Sequence, residues 1–184
     1  MQSDSVLYAS YQSGDTQAYD ALVVRYSDSL TVFLYGYLHN WQDAEDLMID
    51  AFARIMVKKP SIHSDGFRAY LFRTARNLAV RFHSTGSTVK QFSLEGAEEE
   101  LPDIVTPEEL FCSNEQNRTL HFCLNRIEPE LREALWLVYF EGMSYKDAAS
   151  VMKVTVKRIE RLLTRGKVQL RAELEKEGIT NAHE

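Results

Sequence analysis

Cysteine is scarce: Cys112 and Cys123 are the only two in 184 residues. Two thiols in a chain this long make no disulfide framework and suit a reducing compartment. Long apolar runs are lacking as well. The longest, Leu135 to Phe140, falls far short of the roughly 20 residues a membrane helix needs, so no membrane insertion is expected. Met1-Gln2-Ser3-Asp4-Ser5 has neither the basic start nor the apolar stretch of a secretory signal, and the cytoplasm is the expected location. Enzyme signatures are missing too. There is no Gly-rich phosphate loop, no GxSxG, no HExxH and no nucleophile and base at recognisable spacing. The expectation is a protein without catalytic residues, cofactor or small-molecule substrate. Cys112, His121 and Cys123 offer soft metal ligands but no CxxC or HxxxH spacing, so ordinary partly buried side chains are expected there rather than a metal site.

The total charge is −6, from 27 acidic and 21 basic residues, which argues against nucleic acid until it is resolved along the chain. Residues 1–50 hold eight acids against Arg25 alone. Residues 51–94 reverse this to +7, residues 95–115 carry eight acids and no base, and residues 153–171 return to +6. Two basic surfaces are hidden inside an acidic total.

Almost every periodic segment has the helical period. Apolar residues recur from Gln17 to His39 after the cap signal Gly14-Asp15-Thr16, and a second helix begins near Asp43 and stops before Pro60. A third runs from about Phe67 to Phe82. From Ser84 to about Pro107 the pattern fades into a composition that cannot bury enough apolar surface to fold alone. Helices resume over about Glu108 to Leu124, and another follows Pro129, a residue suited to a first helical turn. No strand shows convincing alternation. The fold expected is all-α: two helical domains, residues 1–90 and 114–178, joined by a flexible acidic linker at 91–113 and followed by a tail at 179–184.

The second basic block contains a helix-turn-helix pattern. Ser144 with Asp147 three residues on resembles a capping box for Tyr145 to Met152, and Lys153-Val154-Thr155 is a tight turn with Thr155 as a cap. A basic helix follows with Val156, Ile159, Leu162 and Leu163 on its apolar stripe. Such a second helix lies in a major groove. Lys157, Glu160, Arg161 and Thr164 face away from the stripe toward base edges, while Arg158, Arg165, Lys167 and Arg171 sit where phosphates pass. A solvated basic helix in a bundle is the alternative, and it explains the period but not seven bases against one acid.

In the first domain, Arg68, Arg73, Arg76, Asn77 and Arg81 lie off the apolar stripe of the helix at 67–82, with Tyr70 and Phe72 nearby. Cations interleaved with aromatics suit single-stranded nucleic acid, where charge holds the backbone and rings stack on bases. Aromatics in the core with solvated arginines remain the alternative. The helix at 43–56 exposes Asp43, Glu45, Asp46 and Asp50. That face could serve a basic protein partner or simply favour the helix dipole.

Three segments, Asp43-Ala-Glu-Asp-Leu-Met-Ile-Asp-Ala-Phe-Ala-Arg54, Phe67-Arg-Ala-Tyr-Leu-Phe-Arg-Thr-Ala-Arg-Asn-Leu-Ala79 and Gly142-Met-Ser-Tyr-Lys-Asp-Ala-Ala149, closely resemble bacterial RNA polymerase sigma factors of the extracytoplasmic-function group. The resemblance covers roughly residues 5–90 and 115–175. It implies a region 2-like domain that binds core RNA polymerase and the minus-ten element, and a region 4-like domain that reads the minus-thirty-five element. By position it assigns Asp46 and Asp50 to the polymerase clamp, and Arg73, Arg76, Asn77 and Arg81 to melted minus-ten DNA. Lys157, Arg158, Glu160, Arg161, Thr164 and Arg165 fall to duplex minus-thirty-five DNA. An anti-sigma protein is a further implied partner. Departures from the family pattern are Ile49 where Gln is frequent, Tyr70 for Trp, Lys153 for a turn Gly, Thr155 for Pro, and Glu160 for Lys. The implied function is promoter-specific initiation. The rivals are a helix-turn-helix regulator acting on duplex DNA without polymerase, and an all-α interaction module that binds no DNA. A polyanionic linker could also lie in a cationic RNA path and be displaced by the transcript.

Overall fold

In the computed structural model the described residues are 2–63, 66–89 and 115–179. Every regular element among them is helical. The order is α1 (Asp4–Gln12), α2 (Thr16–Leu38), α3 (Trp41–Lys58), α4 (Phe67–Val89), α5 (Glu115–Arg126), α6 (Pro129–Leu135), α7 (Tyr145–Met152) and α8 (Val156–Lys176), with α6 running on through a π-helical turn at Trp136–Phe140. No helix among the described residues is long and apolar enough to cross a membrane.

Local chemistry sets the boundaries. The Asp15 carboxylate accepts from the Gln17 and Ala18 amides to open α2, and Asn40 accepts from Asp43 N to open α3. Ser144 accepts from Asp147 N at 3.1 Å and Thr155 from Arg158 N at 3.2 Å. Each cap satisfies an amide that the first helical turn leaves without a partner. At the other ends His39, Lys59 and Lys153 take left-handed conformations, a position where glycine is usual. Lys153 therefore makes the tight turn without glycine: the amides of Lys153 and Val154 both reach the Ala149 carbonyl.

Two boundaries differ from the sequence reading. Helix α1 has no counterpart in it, and α4 continues past Phe82 to Val89. The linker 91–113, and the 108–114 start expected for the next helix, lie outside the described residues.

Helices α1–α4 pack as one unit around Leu22, Leu30, Leu34, Ile55, Phe67, Leu71 and Phe72; α5–α8 form a second around Leu124, Leu131, Leu137, Val151 and Ile159. Each such side chain contributes about 1.5–3 kcal/mol on burial. The units also pack on each other, α4 against α7 and α2 against α6, so the two cores join in one continuous apolar cluster. Phe72 is fully buried in that cluster, which removes it from the stacking role considered for it and leaves Tyr70 half-buried at the surface.

Candidate nucleic-acid interface

On α8 the stripe Ile159, Leu162, Leu163 and Gly166 is buried. Gly166 lets α8 approach α6 closely, because a Cβ there would stand 3.1 Å from Leu135 Cγ and Cδ1 and 3.5 Å from Leu131 Cβ. With that face anchored, Lys157, Arg158, Glu160, Arg161, Thr164 and Arg165 are all exposed on the rest of the helix. The Thr164 hydroxyl donates to the Glu160 carbonyl at 2.9 Å, which fixes its rotamer. Two of these arginines are held by carboxylates at the start of α6. Arg158 binds Glu130 through its Nε at 3.1 Å and its Nη2 at 2.9 and 2.7 Å, and Arg165 Nη2 reaches Glu128 at 3.1 and 3.2 Å. The hydrogen bonds that Arg158 donates to Glu130 raise its pKa above the ordinary value. Lys167 lies over the Tyr139 ring, 4.9 Å from its centroid.

The arginines and Asn77 of α4 divide into two groups. Arg68, Arg73 and Arg76 face the second unit. Arg76 Nε meets Glu133 Oε1 at 2.6 Å, Arg73 Nη1 meets Ser150 Oγ at 3.5 Å, and Arg68 donates to the Glu141 carbonyl. Glu133 is 7% exposed. Burial pushes its carboxyl pKa up, and the Arg76 guanidinium opposes that rise. Arg73 also stacks on Tyr70 at 5.2 Å. Asn77 and Arg81 turn the other way and line a groove of about 190 Å³ with Tyr70, Thr74, Arg54 and Lys58. Arg54 and Lys58 come from α3. Their presence beside the α4 set escaped the sequence reading, because helical period relates residues within one helix and not between helices.

Asp46 and Asp50 are one turn apart on α3. Asp46 accepts from Gln42 at 3.3 Å, and Asp50 is bidentate to Arg54 Nε at 3.1 Å. Ile49, 59% exposed, lies to one side of them on the same helix, so two carboxylates and an exposed apolar side chain are neighbours here. Where the two units meet, a cavity of about 330 Å³ is lined by Phe33, Tyr37, His39, His121, Arg132 and Trp136 among others. Burial lowers the pKa of Arg132, whose guanidinium donates to the Gly36 carbonyl. Among the described residues no group of His, Cys, Asp and Glu could hold a metal ion; Cys123 is a buried free thiol.

Known proteins match over the same two units. The model for Sigma-70 region 2 matches residues 22–87 and that for Sigma-70, region 4 matches residues 117–170. The RNA polymerase sigma-H factor of Pseudomonas aeruginosa is 29% identical over 164 residues, covering 84% of this chain and 85% of that protein. The ECF RNA polymerase sigma-E factor of Escherichia coli K12 is 28% identical over 163 residues, with the same coverage. Among solved structures, CnrH in complex with the cytosolic domain of CnrY aligns with a TM-score of 0.66 at 22% identity over 95% of this chain and 99% of that one. The sigma factor RpoE of Bartonella quintana, in complex with the anti-sigma factor NepR, aligns with a TM-score of 0.60 at 20% identity over 85% and 96%. With region 2 on α2–α4 and region 4 on α5–α8, the chain belongs to the sigma-70 family, as an RNA polymerase sigma factor of the extracytoplasmic-function group.

Proposed function

We propose that this sigma factor uses three separate faces for its three contacts. The α3 face of Asp46 and Asp50 docks on core polymerase. The α4 set Arg73, Arg76, Asn77 and Arg81 binds the melted minus-ten strand. On α8, Lys157, Arg158, Glu160, Arg161, Thr164 and Arg165 read the minus-thirty-five duplex. What carries the reading is the presence of a basic face on α8 and a cationic groove between α3 and α4, on two separately matched regions of one chain, beside the acidic face of Asp46 and Asp50 on α3. A regulator acting on duplex DNA alone needs α8 but gives no reason for the α3–α4 groove.

The chemistry of each face suits its target. On α8, Arg161 and Lys157 are donors for guanine, and Glu160 can accept from the cytosine amino group; one good bidentate contact gives about 1–3 kcal/mol of discrimination. At the α4 groove, Arg81 and Lys58 offer charge, Asn77 offers hydrogen bonds and Tyr70 offers a ring for stacking. The chain contributes binding energy and sequence discrimination, with no catalytic step of its own, and acts in the cytoplasm. An anti-sigma protein is the partner class suggested by the complex of RpoE with NepR.

Mixing the protein with core polymerase and a fork-junction promoter library tests the reading. Co-elution with core and selective opening of a subset of promoters is expected. Duplex binding without polymerase would favour the regulator instead, and neither activity would support the DNA-free module. Within this scheme Arg76→Ala with Asn77→Ala abolishes opening yet leaves core binding intact. Persistent opening would mean the single-strand site lies elsewhere.

A further inference from the structure

The first turns of α6 carry Glu128, Glu130 and Glu133, and each holds one arginine of the DNA-facing sets: Arg165, Arg158 and Arg76 respectively. Two of these pairs stay within the second unit. The third crosses to the first, spanning 57 residues of sequence. A carboxylate meets the planar guanidinium fork as a phosphate does, through two oxygens facing two N–H groups. Arg76 uses both, Nε to Oε1 at 2.6 Å and Nη2 to Oε2 at 3.5 Å. While it does so, that fork is closed to a nucleic-acid phosphate.

We propose that the acidic edge of α6 is a built-in phosphate mimic: in the free chain Glu133 occupies Arg76 and holds the two units closed, and promoter DNA can use Arg76 only after that contact opens. The inference rests on the assignment of Arg76 to minus-ten DNA. Burial singles out Glu133 among the three acids. Its side chain is 6% exposed, against 42% for Glu130 and 53% for Glu128. Water and salt therefore screen the two α8 pairs, which exchange readily for phosphates, whereas the Arg76 pair is shielded. Other contacts crossing the same seam support closure. The guanidinium of Arg132 donates to the Gly36 carbonyl and that of Arg68 to the Glu141 carbonyl. Both of those acceptors are backbone carbonyls, so among the seam contacts the carboxylate that closes the fork of a DNA-assigned arginine is that of Glu133. Affinity for single-stranded DNA is then reduced by the fraction of chains that are open.

The full-length chain without polymerase provides the test. Fluorescence anisotropy with a fluorescein-labelled 20-nucleotide single-stranded DNA of mixed sequence reads binding, and small-angle X-ray scattering reads closure. Glu133→Lys places two cations together and opens the seam; Asp20→Lys, on the exposed side of α2, makes the same change in net charge elsewhere. Glu133→Lys is expected to bind the DNA roughly tenfold more tightly than Asp20→Lys and to have a larger radius of gyration. Equal affinity in the two variants, or an unchanged radius, overturns the proposal. Should Glu133→Lys fail to fold, the reversed pair decides: Arg76→Glu alone expands the chain, and Arg76→Glu with Glu133→Arg restores the compact radius. A double variant as expanded as the single one also overturns it. Failure of the wild-type chain to open any promoter with core polymerase would refute the sigma reading separately, since closure is read without polymerase or DNA.

Discussion

The approach of α8 to α6 at Gly166 decides where the recognition helix points, and replacing that glycine tests it. An ideal Cβ at Gly166 lies 3.1 Å from two carbons of Leu135, which is itself buried, where ordinary carbon contacts are about 3.5–4.0 Å. In Gly166→Ala, Leu135 must give by roughly 0.5 Å, and the strain offsets the roughly 1 kcal/mol that alanine gains over glycine in a helix interior. The net effect is expected near zero. Gly166→Val adds two further carbons to the same seam, and overpacking of this kind costs about 1–3 kcal/mol. A loss of about 2 kcal/mol lowers Tm by roughly 4–8 °C in a chain of this size. The displaced α8 also shifts Lys157, Glu160 and Arg161 relative to the rest of the helix-turn-helix, so duplex minus-thirty-five binding weakens while single-strand binding through α4 is retained. Thermal unfolding by circular dichroism reads the first effect; anisotropy with duplex and single-stranded probes reads the second. Wild-type Tm in Gly166→Val would show that the seam is loose and that Gly166 does not set the helix approach.

Three further outcomes follow from individual side chains. Lys153→Gly relieves a left-handed non-glycine residue at φ +58 and should stabilise the helix-turn-helix by about 1 kcal/mol in urea unfolding; destabilisation would mean that the Lys153 side chain holds the turn. Arg158→Gln should flatten the dependence of log K on log salt for duplex binding by roughly 0.9, the share of one phosphate, without changing base preference, and an unchanged slope would place Arg158 away from the backbone. His121 packs against Trp136 and Phe140, with ring centroids 5.5 and 5.9 Å away, and burial lowers its pKa. The folded state therefore takes up the proton less readily than the unfolded one, so the contribution of neutral His121 is present above about pH 6.5 and is lost as pH falls below it. His121→Phe should narrow the difference in Tm between pH 7.5 and 5.5; an unchanged difference would exclude His121 as its source.

The α8 set illustrates what was legible in advance. Ile159, Leu162 and Leu163 define a stripe, the stripe faces the core, and Lys157, Glu160, Arg161 and Thr164 must then face outward, as they do. Caps at Asp15, Ser144 and Thr155 were equally local, since each joins groups two or three residues apart. Helix α1 was not legible. Nine residues are too few to hold a helix in water, and its anchors are distant: Tyr8 donates to the Pro60 carbonyl at 2.8 Å and Tyr11 to that of Met56 at 2.9 Å. Phe72 likewise carries no local sign that it belongs to the core rather than to a stacking platform.

By itself the sequence determined the helical class, the helix-turn-helix and the two basic helices, because periodicity, capping and charge are interactions among residues near in sequence. The tertiary structure decided which carboxylate each arginine meets, that Arg54 and Lys58 join the α4 groove, and that Arg76 is closed onto Glu133. Those pairings depend on how whole helices are placed against one another, which is set by packing of buried side chains far apart along the chain.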